Sequence, residues 1–272
     1  MIRICVAAVA VCFALNAPAA RAQDAHAQQL GTVHFATSCS SSVAPVFDRA
    51  VALLHSFEFG ASIRAFNDVL ATDSSCAMAY WGIALSRWSN PMAPGARPIA
   101  QLQLGRQAAN AATRLSARAS ERERGYVRAV GQWYDDFEHK DQRARVIAYE
   151  RSMSELVIRE PADTEAMIFH ALSLIASAPP TDKTYANQLK AGGILEALWA
   201  QQPNHPGLAH YIIHSYDYPP LASKARAAAQ RYASIAPSAA HALHMPSHTF
   251  TRLGMWSESA SANTRSMEVA LT

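Results

Sequence analysis

The sequence holds little of what would assign it quickly. No sign of charge dominates: Lys and Arg total 24 against 21 Asp and Glu, and charged residues are 17% of 272. Arg3 and Arg21 fall in an N-terminal stretch with the marks of a leader, so 22 basic residues face 21 acidic ones without it. Such a balance carries no electrostatic footprint for nucleic acid. Cysteine is scarce, at four residues, which excludes a disulfide-dense scaffold. Glycine, at 11, and proline, at 14, are too few for a collagen-like or low-complexity chain. Beyond the N-terminus no apolar run approaches the ~18 residues of a membrane span. Gly192-Gly193 lacks the flanking glycines and the preceding strand of a nucleotide loop, and no Gly-x-Ser-x-Gly nucleophile elbow occurs. What remains is a chain that is 50% apolar and long enough to bury a substantial core.

Residues 1–22 read as a signal peptide. Arg3 supplies the positive end, Ile4 to Leu15 form a 12-residue apolar stretch, and Ala20-Arg21-Ala22 offers a small-x-small cleavage site. The expectation is an exported protein, periplasmic or secreted, beginning near Gln23. Cys5 and Cys12 leave with that segment, and Cys39 and Cys76 remain. Two thiols in an oxidising compartment most economically form one disulfide. A role as metal ligands is the weaker alternative, because neither has a close Cys or His neighbour in sequence.

From Val43 onward apolar residues recur at intervals of three and four, with no sustained two-residue alternation. Val46, Ala50, Leu53 and Leu54 make one stripe; Ile63, Phe66, Val69 and Leu70 make the next; Met78, Trp81, Leu85 and Trp88 make a third. Later helices are predicted at 98–114, 119–137, 141–159, 163–176, 183–200, 206–217, 221–235, 239–252 and 256–271. The fold class is therefore all-α, about 12 helices in antiparallel pairs. Residues 23–42 read as an N-terminal extension and 43–272 as the helical repeat domain.

Pro161, Pro203 and Pro237 each stand between one predicted helix and the next, and the last two are 34 residues apart. Phe57-Glu58-Phe59 followed by Ile63, Phe66, Val69-Leu70 and Asp73 resembles the second half of a tetratricopeptide repeat, whose period is 34. Gly254-Met255-Trp256 followed by Ala260 and Asn263 does the same. The resemblance covers most of residues 43–272 in degenerate form, and 91–160 departs furthest from it. It implies helix pairs stacked into a right-handed solenoid whose first helices line a concave face. An unrelated helical bundle is the alternative, since the period is clean only once.

Histidine is where the chain becomes specific. Six of its 11 histidines lie between residues 205 and 248, where even scatter would put about two. His210 and His214 are four apart on one predicted helix and share a face. His244 and His248 are four apart on a later one, 34 residues on from the first pair, and His241 precedes them. Asp217 lies a turn beyond His214 on the same predicted stripe. Counted from the prolines, His210 and His244 take repeat position 5, His214 and His248 position 9, Glu165 and His241 position 2. In the resembled family such positions point into the ligand groove. Paired imidazoles on a helix are efficient metal ligands, so His210, His214, His244 and His248 are the expected set. Asp217, His241, Glu165 and His55 are the expected further ligands or partners. Without a nearby thiolate the set suits a divalent metal, zinc or copper first, with iron or nickel also admitted. Pro246 interrupts the second pair and either bends that helix or begins a new one, which would cost the two pairs their common register. His170, among apolar residues, reads as a core histidine, while His26, His34 and His139 read as solvent-facing.

Longer strings carry a second resemblance. His210-Tyr211-Ile212-Ile213-His214-Ser215-Tyr216-Asp217 and His244-Met245-Pro246-Ser247-His248-Thr249-Phe250 resemble a group of exported bacterial tetratricopeptide-repeat proteins, as do Cys76-Ala77-Met78-Ala79-Tyr80-Trp81-Gly82 and Asp163-Thr164-Glu165-Ala166. This implies fold and site position and names no substrate. Two functions stay open: a metal site, structural or catalytic, and a scaffold that holds a protein or peptide in its groove. Without a metal the histidines would pack or hydrogen-bond between helices, or bind an anion or transfer protons. The helix at 256–271 ends without a polar cap, which a repeat array normally needs, so the expectation is either a chain shorter than its relatives or a second copy or partner covering that end.

Overall fold

In a computed structural model the described residues are 28–271, so the expected leader at 1–22 lies outside them. All regular structure among them is helical, with no strand. The helices run α1 (Ala44–His55), α2 (Phe59–Thr72), α3 (Ala77–Trp88), α4 (Ile99–Leu115), α5 (Glu121–Tyr134) and α6 (Gln142–Arg159). They continue as α7 (Thr164–Ser177), α8 (Ala186–Gln201), α9 (Pro206–Ser215), α10 (Arg226–Ile235), α11 (Ala240–His244), α12 (Pro246–Arg252) and α13 (Trp256–Ala270). Met245 alone separates α11 from α12, so they form one bent helix and the described residues hold 12 α-helical units. Each packs on the next along the sequence. The result is an all-α solenoid of helical hairpins, and none of its helices is long and apolar enough to cross a membrane.

Local sequence sets where these helices begin. Ser120 caps α5 by accepting from the Glu123 amide while the Glu123 carboxylate takes the Ser120 amide, a reciprocal capping box. Asp141 and Asp163 cap α6 and α7 with their side chains. Pro206 opens α9 where a missing N–H costs nothing. Gly82 lets α3 approach α2, since a Cβ there would lie 2.1 Å from the Phe66 ring.

Curvature is the feature the repeat arithmetic did not supply. The array curls until α1 touches α9. Aromatic side chains fill the space inside: Trp81 lies 5.3 Å from Tyr126 and 5.4 Å from Phe169, and His55 stacks on Phe169 at 4.8 Å.

The extension is built into the same core. Residues 28–39 form a strap along the ends of the repeats. Gln29 and Ser238 exchange hydrogen bonds, and the Thr32 amide donates to the Asn204 carbonyl at 2.9 Å. Phe35 inserts among Phe47, Trp81 and Tyr126 at 5.2–5.6 Å between ring centres. The Arg122 guanidinium donates to the Ala36 carbonyl, and Glu123 accepts from the Ser38 amide. The Cys39–Cys76 disulfide then fastens the strap to the start of α3, the pairing expected from the sequence.

Candidate metal centre

Five of the six clustered histidines meet where α9, α11 and α12 come together. His210 Nε2 is 3.1 Å from His214 Nε2 and 3.1 Å from His241 Nε2. His244 Nε2 and His248 Nε2 are also 3.1 Å apart. The two groups adjoin, with His241 and His244 rings 5.9 Å apart and His214 and His248 rings 6.3 Å apart. The structure thus gathers His210, His214 and His241 into one group that could hold a metal ion, and sets His244 with His248 beside it. His241 takes the central place that sequence spacing had given to the second pair.

Pro246 bends the helix without destroying its register. Met245 keeps helical angles (φ −54°, ψ −36°), and the His248 amide shortens its bond to the Met245 carbonyl, three residues back. His244 and His248 therefore still share a face. The last turn of α9 is shorter than expected: the helix ends at Ser215, and Asp217 lies beyond it. Its carboxylate nevertheless reaches His248 Nδ1 at 2.8 Å and Arg252 Nε at 3.0 Å.

The hydrogen bonds fix the ring of His210. Its Nδ1 donates to the His55 carbonyl at 2.6 Å, so in the neutral ring Nε2 carries the lone pair. That one lone pair faces two imidazole nitrogens at once, an arrangement that hydrogen bonding satisfies poorly. Two nitrogens bound to one zinc at about 2.0–2.1 Å are themselves about 2.8–3.4 Å apart for angles of about 90–109°. The observed 3.1 Å falls inside that interval.

Burial keeps these rings in the form a metal needs. It pushes His210 well below the ordinary imidazole pKa, with His214 and His241 adding to the effect. Burial, then His241 and His248, lowers His214 to about 3. Burial, then His244 and His248, lowers His241 to about 4. Uncharged imidazoles with free lone pairs are ligands.

Glu165 and His55, expected as further ligands or partners, supply no ligand atom to this group; His55 reaches it only through its backbone carbonyl, on His210 Nδ1. They form a separate buried triad with His205. Glu165 accepts from His55 Nε2 at 3.0 Å and from His205 Nε2 at 2.9 Å, and all three residues are buried. Burial alone would raise the Glu165 carboxyl; the His205 and His55 imidazoles outweigh it and hold the pKa below the ordinary range. These three ligand atoms also lie close enough to hold an ion, but the protons argue against one. Nε2-bound metal would leave an N–H on His205 Nδ1, which is buried with no acceptor. With Nε2–H donating to Glu165 instead, Tyr211 Oη, 3.1 Å from His55 Nδ1, completes a hydrogen-bonded chain. The triad ties α1, α7 and α9 together. It also places the His55 carbonyl that holds His210.

A cleft of about 420 Å³ opens beside the centre, and His214 and Asp217 belong to its wall. Arg143, Lys183, Gln188 and Tyr218 line it as well. Gln188 is 3% exposed, gives Nε2 to Tyr218 Oη, and has an unpartnered Oε1. His205, Gln188 and Asn263 carried no assignment from sequence. His205 had two available signals, its membership of the histidine cluster and its place at the start of α9 as Glu165 stands at the start of α7. His170 is buried and bonded to Glu150, while the side chains of His34 and His139 are exposed, as expected; His26 lies outside the described residues.

Compared with protein-family models and with curated proteins, the chain matches none.

Proposed function

We propose that this protein is an exported, tetratricopeptide-like repeat protein that binds one divalent ion through Nε2 of His210, His214 and His241. Zinc or copper is the ion the ligand set favours, with iron or nickel as weaker competitors. One observation carries the reading: His210 Nε2, its tautomer set by the His55 carbonyl, stands 3.1 Å from two other imidazole Nε2 atoms. Export is supported by the Cys39–Cys76 disulfide. The repeat assignment is supported by the 34-residue spacing of Pro203 and Pro237 and by the helical hairpins.

Three protein nitrogens leave a tetrahedral ion one position for water or a ligand. His214 belongs both to the group and to the cleft wall, which supports an open site over a closed structural one. Bound there, an ion supplies Lewis-acid polarisation or an activated water. The chain's own part is to hold the three rings neutral, to fix His210 from the His55 carbonyl, and to offer Arg143 and Lys183 along the cleft to an anionic ligand.

The test is metal content by plasma mass spectrometry, on the full chain purified without chelator or affinity tag. Wild type is expected to carry a stoichiometric ion. The His214→Ala/His241→Ala double variant is expected to lose it, about 100-fold or more in affinity, at unchanged circular dichroism. A wild-type protein that is metal-free and also ignores added zinc, copper and iron would sink this reading in favour of the peptide-holding scaffold.

A further inference from the structure

His244 and His248 pose a problem that the first centre does not solve. Both rings have their tautomers fixed from outside. His248 Nδ1 lies 2.8 Å from Asp217 Oδ2, a carboxylate oxygen that only accepts. His244 Nδ1 lies 2.7 Å from Asn263 Oδ1. That amide cannot be turned over freely, because its Nδ2 donates to the Ser259 carbonyl at 3.1 Å. Each Nδ1 therefore bears a hydrogen, and in the neutral rings each Nε2 presents a lone pair. Yet the two Nε2 atoms face each other at 3.1 Å. Two lone pairs at that distance repel unless a positive centre lies between them.

We propose that His244 Nε2 and His248 Nε2 bind a second divalent cation, of the imidazole-preferring class represented by zinc, beside the first. The site itself rests on the two tautomers; its description as half of a two-ion centre rests on the proposed function of His210, His214 and His241. Asp217 and Asn263 act as the oxygen partners that orient the ligating rings, a common arrangement at metal-bound imidazoles. Arg252 on the other oxygen of Asp217 keeps that carboxylate turned toward His248. Two protein ligands leave several positions for water or substrate, so this ion is the weaker and more exchangeable of the two. Adjacent ions in hydrolytic centres divide the attacking and leaving oxygens between them, and a pair of ions here fits a substrate that presents two oxygens, such as a carboxylate or phosphate ester.

The experiment titrates the full, disulfide-intact chain with zinc alone, followed by calorimetry and by mass-spectrometric stoichiometry. Two zinc ions per wild-type chain are expected, falling to one in His244→Asn/His248→Asn and to one in His214→Ala/His241→Ala. Asp217→Asn is expected to weaken the second ion about 10–100-fold and leave the first unchanged, and it serves if the double variant fails to fold. One ion in wild type that survives His244→Asn/His248→Asn overturns the second site and leaves the first centre standing. One ion that is lost from both double variants overturns it as well, in favour of a single shared centre. No zinc in wild type overturns this inference and the proposed function together.

Discussion

Histidine protonation sets a pH signature that belongs to single residues. In the folded protein His214 and His241 are held neutral with pKa values near 3 and 4, against an ordinary 6.5. Burial lowers His210 and His55 in the same direction. An imidazole whose folded pKa is depressed binds fewer protons folded than unfolded. Its stabilising effect is complete above pH 6.5 and declines as pH falls toward the folded value. Glu165 and Asp217, depressed carboxyls, lose theirs only at lower pH. Metal-free protein should therefore lose stability between pH 6.5 and 5, by roughly 1–2 kcal/mol for each of His214 and His241. Urea unfolding with chelator present, at a series of pH values, reads this directly; a flat profile from pH 7.5 to 5 would show that the rings are not held neutral. At this scale the i,i+4 pairs were legible because spacing alone puts His210 with His214 and His244 with His248. His241, Glu165 and His55 were legible as chemistry but not as geometry. Their placement depends on how neighbouring helices lean, which no spacing within one helix records.

Helices are where sequence reading went furthest, and the reason is local. Apolar intervals of three and four, together with Pro and Asp or Ser at the starts, act within a turn or two of their own position. α5 begins where Ser120 and Glu123 close their box, and α9 where Pro206 follows His205. Errors fell at ends that other elements decide: α9 stops at Ser215 so that Asp217 can turn toward His248 and Arg252, which lie on a later helix. Packing between helices supplies its own prediction. Gly82 allows α3 to lie against Phe66, whose ring would be 2.1 Å from a Cβ at that position. Gly82→Ala should gain helix propensity yet lower the unfolding free energy by about 1–3 kcal/mol through overpacking. A rise in melting temperature instead would mean that Phe66 has room to move aside.

Across the whole molecule the strap and the disulfide do what helix pairs cannot. Residues 28–39 have no periodicity, so nothing in their sequence announces a structural role; it emerges from contacts with Ser238, Asn204, Glu123 and Phe47 spread over the array. Cys39 and Cys76 were legible as a pair because one disulfide is the most economical state of two thiols in the oxidising compartment that the leader-like N-terminus implies. Their separation of 37 residues gives about 3–4 kcal/mol in the chain-entropy account. Cys39→Ser/Cys76→Ser should lower the unfolding free energy by about that amount in denaturant melts, while helical content at 25 °C stays unchanged. An equal stability with and without the bond would show that Phe35 and its neighbours already secure the strap. The curl that brings α1 onto α9 was not legible at all, since small rotations per repeat add up only over the full array.

That closure also imposes an order of events. His210 is oriented by a carbonyl 155 residues earlier in the chain, and His55 is itself held from Glu165, 110 residues away. No early segment can assemble the three imidazoles in their ligating form, because the part that aims them arrives only when the two distant helices dock. Contacts of such separation form late in folding. An ion at the proposed centre would therefore be no nucleus, as it is in a zinc finger, but a seal, taken up once α1 has docked on α9 and resisting their separation thereafter.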